Sequence, residues 1–93
     1  MDLSKQELYW LLKGSNERER VSYKILDGYN FRGAKMDSSI LFFNSIINAD
    51  LRGTKMKNLA YGYGRVNGLV DKFTEIPVNG CQPQKNDSIT CYN

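Results

Sequence analysis

The sequence contains no histidine, which removes the commonest general base and the commonest nitrogen ligand for metals. A Ser/His/Asp or Cys/His arrangement is therefore excluded, and the ten carboxylates show no spacing that marks an acid/base pair. Cys81 and Cys91 alone make no zinc site. Gly62-Tyr63-Gly64 has the outline of a phosphate-binding glycine turn, but the next glycine is Gly68 and no helical pattern follows, so the fingerprint fails. Those glycines fit corners of the chain better. No catalytic residue, metal ligand or cofactor is expected, and the chain reads as non-enzymatic.

Side chains that could bind are more informative. The net charge is +3, and its whole excess lies in residues 29–63, where Arg32, Lys35, Arg52, Lys55 and Lys57 face only Asp37 and Asp50. Arg32 and Arg52 stand twenty residues apart, as do Lys35 and Lys55. If such residues are stacked at the strand spacing of about 4.8 Å, like charges lie side by side and need a counter-charge. A phosphate-bearing or acidic ligand would supply it, since guanidinium and ammonium groups recognise phosphate well. Splaying into water, with Asp50 or Asp37 as partial neutralisers, is the plainer outcome. A second feature is apolar: Ile40, Phe42, Phe43 and Ile47 project outward if Leu41 and Ile46 point inward. Such a cluster requires a cover, either the C-terminal segment or an interface with a partner or a second copy.

The elements that position these residues follow from an internal repeat. Tyr29–Ser38 laid over Ala49–Asn58 matches at Arg32/Arg52, Gly33/Gly53, Lys35/Lys55 and Met36/Met56, an offset of twenty. Within it, Phe31, Met36, Leu41, Ile46, Leu51, Met56, Tyr61 and Val66 are bulky and spaced by five, and the residues two places before them are mostly small. Neither a helix of period 3.6 nor a strand of period two keeps every fifth residue inward. The chain must turn a corner every five residues, and four corners close a coil of twenty. Residues 29–68 thus resemble the pentapeptide-repeat family, with Ala49-Asp50-Leu51-Arg52-Gly53 as the best copy. Tyr29, Asn44 and Leu59 depart from it, placing larger residues where the family has a small one. The resemblance implies a mainly β fold, a short right-handed quadrilateral β-helix. Some family members mimic duplex DNA, a role that needs a long acidic rod, whereas these repeats are few and basic.

The remainder reads as two caps on a single domain. Over residues 1–28, Ser4 and Glu7 form a capping-box pattern, and Leu3 and Leu8 occupy staple positions. The stripe Leu8, Leu11 and Leu12 predicts a short helix over residues 5–13, ending before Gly14, that covers the open end of the coil. Residues 15–20 read as a solvated loop. Past residue 68 the register fails, because Asp71 falls where an apolar centre is due, so residues 69–93 are expected as an irregular cap with short strands at Phe73–Val78 and Ile89–Tyr92. Asn79-Gly80 is a turn signal, and Pro77 and Pro83 disfavour a long helix.

The start carries acids before any apolar run, and no stretch approaches the roughly eighteen apolar residues of a membrane span. A cytoplasmic location follows as the expectation, and with it two free thiols at Cys81 and Cys91, with a disulfide as the alternative. The Asn86-Asp87-Ser88 sequon has meaning only for a secreted chain. The leading functional expectation is a small accessory protein, of viral or mobile-element type on size alone. It would bind and modulate a host protein, or pair with its own copies, through Ile40, Phe42, Phe43 and Ile47 and the basic stripe. The alternative is a binder of phosphorylated ligands, nucleotide or nucleic-acid backbone, through Arg32, Arg52, Lys35 and Lys55.

Overall fold

The computed structural model describes residues 4–13, 19–37, 39–77 and 80–92. The fold is mainly β with one short helix. Helix α1 (Lys5–Lys13) is followed by strands β1 (Glu19–Ser22), β2 (Ser39–Phe42), β3 (Ser45–Asp50), β4 (Ala60–Gly62), β5 (Arg65–Leu69), β6 (Cys81–Gln84) and β7 (Ser88–Tyr92). One sheet has the order β1-β2-β4 and the other β3-β5-β7-β6.

Parallel pairing runs at the offset the repeat demands. Val21 lies beside Leu41 and Leu41 beside Tyr61, while Ser45 lies beside Arg65. Isolated bridges join Ile25 to Ser45, Asn30 to Asp50, Lys35 to Lys55 and Lys55 to Glu75. Every residue of the fivefold series, Phe31 through Val66, is buried, and so are Val21 and Leu26 ahead of it. Ala34, Ser39, Asn44, Ala49, Thr54 and Leu59, two places before a centre, are buried as well. The polar ones bond locally. Thr54 Oγ1 donates to the Leu51 carbonyl at 2.6 Å, and Asn44, with its NH2 turned inward, donates to the carbonyls of Phe42 and Val21. Larger residues at Asn44 and Leu59 are thus absorbed.

Several of the corners are hydrogen-bonded β-turns. The N–H groups of Ala34, Ser39, Thr54 and Leu59 donate to the carbonyls of Phe31, Met36, Leu51 and Met56, three residues back. Gly33 and Gly53 take φ values of 72° and 73° there, the left-handed conformation that a type II turn requires at its third residue. The repeated Arg-Gly pair therefore has a backbone reason.

The ordered pairing extends beyond residues 29–68 on both sides. Glu19 and Arg20 belong to β1 and are not loop. Past Val66 the register slips: Ala49 lies beside Gly68 and Asp50 beside Leu69, so Val70, half-buried, stands where Asp71 was due. Leu51 N–H donates to the Leu69 carbonyl at 2.9 Å. Gly68 is required at the slip, since a Cβ there would meet the Ala49 carbonyl oxygen. Asp71 stays outside, accepting from the N–H groups of Gly53 and Phe73 at 3.0 Å and from Thr74 Oγ1. The Lys55–Glu75 bridge restores the original offset.

The chain begins in a helix and finishes in a hairpin. Leu8 N–H donates to the Ser4 carbonyl, so α1 starts where the capping pattern puts it. Leu11 is fully buried, Leu8 and Leu12 pack on the core, and the Leu12 carbonyl accepts from Lys35 N–H. One orphan carbonyl of the last helical turn thus finds a partner in the β region. The staple residue Leu3, and Gly14, lie outside the described residues. At the other end, the expected irregular segment is an antiparallel hairpin, β6 on β7, with β7 also antiparallel to β5. Pro83 sits in β6, the edge strand, where a missing N–H leaves the sheet intact. Of the expected Phe73–Val78 strand only the Glu75 bridge forms, and Val78 lies outside the described residues.

Cys81 and Cys91 stand directly opposite each other in this hairpin and form a disulfide. That corrects the expectation of free thiols, which rested on compartment and ignored what antiparallel pairing brings together. Among the described residues no helix is long and apolar enough to cross a membrane.

Candidate functional site

At several corners the residue two places after a buried centre takes a left-handed backbone, whereas Asn58 after Met56 and Gly68 after Val66 do not. Gly28, Gly33 and Gly53 have φ of 77°, 72° and 73°, and Asn48 has 57°. Glycine and asparagine are the residue types that accept this backbone. One corner departs from the rule. It is formed by Tyr23, Phe43 and Tyr63, with φ of 59°, 60° and 56°. A bulky side chain in this region costs about 1–2 kcal/mol.

The three rings lie in one column. Tyr23 stacks on Phe43 with centroids 4.9 Å apart and planes 2° from parallel, and Phe43 on Tyr63 at 5.1 Å and 10°. Each stacked pair contributes about 0.5–1.5 kcal/mol beyond area burial. The rings remain open to water, at 61%, 47% and 79% for Tyr23, Phe43 and Tyr63. The column is thus an exposed aromatic surface on strained backbone, and the two effects nearly cancel in stability.

The adjoining face carries the other expected apolar residues. Ile40, Phe42 and Ile47 are half-buried, unlike the exposed Phe43. Phe42 is covered by its own neighbour: a Cβ on Gly62 would lie 2.9 Å from the Phe42 ring. Gly62 therefore serves close approach, as does Gly64, where a Cβ would meet the Asn44 carbonyl oxygen at 2.9 Å. Neither glycine has the left-handed φ of a corner; Tyr63 between them does. The C-terminal segment pairs with β5 through β7, which brings Tyr92 beside Phe43 and Tyr63.

The basic stripe carries its own counter-charge. Asp50 accepts from Arg52 Nε and Nη2 at 2.9 and 2.8 Å, a bidentate pair, while Arg32 Nε lies 3.9 Å from Asp50 Oδ2. The hydrogen bond from Arg52 is the main cause that holds the Asp50 carboxyl below its ordinary pKa. Lys35 and Lys55 are adjacent across a bridge, and Glu75 follows in the same row. Among the described residues no three His, Cys, Asp or Glu side chains gather as a metal site.

Sequence reasoning placed Phe43 at the surface but missed Tyr23 and Tyr63. The signal was present: both stand twenty residues from Phe43 and two after a centre, where Gly28, Gly33 and Gly53 stand in other corners. No family model, no curated protein and no solved structure matches the chain.

Proposed function

We propose that the chain is a short right-handed quadrilateral β-helix of pentapeptide-repeat type, acting as a non-enzymatic module that binds and modulates a partner protein. The twenty-residue parallel register, the buried centres every fifth residue and the hydrogen-bonded turns at several corners support the β-helix reading. The observation that carries the functional reading is the Tyr23–Phe43–Tyr63 column. Strained backbone that packing does not require is a mark of functional positions. Three water-exposed rings on such backbone, beside half-buried Ile40 and Phe42, offer the rigid aromatic anchors that protein interfaces use as hot spots.

The binding of phosphate through Arg32 and Arg52 is the weaker reading, because Asp50 already takes both hydrogen bonds of the better-placed guanidinium. Native mass spectrometry of protein purified from its own host tests the proposal. The wild type is expected to retain one partner of defined mass, and the Y23N/F43N/Y63N variant, in which asparagine accepts the corner backbone, to lose it. Retention of the same partner by a folded triple variant would contradict the assignment.

A further inference from the structure

The ring column ends at Tyr63, and its end differs from its middle. Phe43, with a ring on either face, is 47% exposed, whereas Tyr63, stacked on one face only, is 79% exposed. The outer face of the Tyr63 ring is therefore bare. One repeat further on, the parallel register would place Pro83 over it. Instead the chain turns into the β6–β7 hairpin, and β7 runs antiparallel beside β5 with Tyr92 opposite Arg65. The interruption leaves a groove of about 450 Å³ lined by Phe43, Asn44, Ser45, Tyr63, Gly64, Arg65 and Tyr92. That volume lies within the range of small-ligand sites.

The groove carries one kind of charge. Arg65 is the single ionic residue of its lining, and among the described residues it pairs with no carboxylate. Its guanidinium lies over the Tyr92 ring, 5.4 Å from the centroid. Arg32 and Arg52 present the opposite case. Their groove also contains Asp71 and Asp87 beside Lys72, and Asp50 bridges the two guanidinium groups, so no net positive charge is left for a ligand.

We propose that this groove binds an aromatic ring bearing a phosphate, that is, a ligand of the nucleotide class. The base continues the column by stacking on the bare face of Tyr63, and the phosphate is held by Arg65, whose guanidinium Tyr92 supports from behind. Stacking on an aromatic side chain tolerates any base, and guanidinium provides the forked donor geometry that phosphate takes. The inference goes beyond the partner-protein reading: it uses the outer face of Tyr63 together with Arg65 and Tyr92, and neither Tyr23 nor Ile40 nor Phe42.

The test is an amide NMR titration of the full chain with AMP, adenosine, inorganic phosphate and a single-stranded oligo-deoxyadenylate. AMP is expected to shift the amides of Tyr63, Gly64, Arg65 and Tyr92. Adenosine should bind about tenfold more weakly than AMP, and phosphate alone should give no saturable shift. Tyr63→Asn, which keeps the corner backbone, should weaken AMP by about tenfold or more, and Arg65→Gln should bring AMP down to the level of adenosine. If the oligonucleotide shifts the same amides more tightly than its number of bases explains, the natural source is a single strand; otherwise it is a free nucleotide. The proposal is overturned if neither AMP nor the oligonucleotide shifts these amides up to about 10 mM. Shifts centred on Arg32 and Arg52, or affinity unchanged in folded Tyr63→Asn protein, would overturn it equally. Tyr63 is shared with the partner-protein reading, but Arg65→Gln leaves the ring column intact, so its effect on AMP is separate from retention of the partner protein, which is measured on its own.

Discussion

Tyr63 carries a balance of opposed effects within one side chain. Its ring gains a stack on Phe43 worth about 0.5–1.5 kcal/mol, and its left-handed backbone costs about 1–2 kcal/mol. Replacing it by glycine removes both and adds about 0.5–1 kcal/mol of unfolded-chain entropy. Tyr63→Gly is therefore expected to change the urea unfolding free energy by no more than about 1 kcal/mol, while Phe43→Gly, which breaks two stacks, destabilises more. A large loss at Tyr63 would show the ring to be structural. Two carboxylates set the acid side of the stability curve. Asp50 lies below its ordinary pKa mainly through the hydrogen bond from Arg52; at Asp71 desolvation pushes up but is outweighed by hydrogen bonds from Thr74, Gly53 and Phe73. A carboxylate depressed in the folded state contributes stability that is present above its unfolded value and lost as pH falls through the folded one. Unfolding midpoints should hold steady above about pH 5 and drop below about pH 4. In Asp50→Asn protein the acid drop should be shallower. The residue scale was partly legible in advance: Asp50 was named as a neutraliser of Arg32 and Arg52, but the outward surface was read as a cluster of Ile40, Phe42, Phe43 and Ile47, close in sequence. Adjacent residues point different ways at a corner, and the stacked partners come from twenty residues away.

At the scale of elements, the hairpin depends on one covalent link. The edge strand β6 pairs only with β7 among the described strands, and the Cys81–Cys91 bond ties the two. A disulfide closing a loop of this length stabilises by about 3 kcal/mol in the chain-entropy account. Reduction should lower the unfolding free energy by about 2–4 kcal/mol, and hydrogen exchange should speed first in Cys81–Gln84. Equal protection in β6 with and without reductant would show that the pairing stands alone. Helix α1 was legible from its cap and apolar stripe, because a local pattern fixes a local element. Of the hairpin, the strand at Ile89–Tyr92 was expected, but β6 and its pairing were not. The alternation in Cys81–Gln84 is weak, Pro83 argues against an interior strand, and the bond that holds the pair depends on tertiary placement. The loop assigned to residues 15–20 failed for a related reason: Glu19 and Arg20 are charged, but their strand forms by backbone pairing to Ser39 and Ile40.

At the scale of the whole molecule, the twenty-residue offset was legible because a repeat reports the same geometry several times over. Its limits were not. Val21 and Leu26 already sit at the fivefold positions, yet the matching residues around them are too dissimilar to extend the alignment. Beyond Val66 a one-residue slip puts Val70 in the core, and a rigid count of five points at Asp71 instead. The molecule extends 32 Å along its longest axis, about nine base pairs of duplex at 3.4 Å each. Its net charge of +3 is opposite in sign to that of duplex DNA. What it offers is a column of side chains repeated at strand spacing, and the aromatic corner is the one where bulky residues hold a left-handed backbone. The most direct measurement is a NOESY spectrum of protein with labelled aromatic rings. Rings with centroids 4.9 and 5.1 Å apart should give cross-peaks from Tyr23 to Phe43 and from Phe43 to Tyr63, and none from Tyr23 to Tyr63. Absence of both cross-peaks, or Phe43 contacts to the buried Leu41 and Leu51 side chains in their place, would contradict the register and the surface it builds.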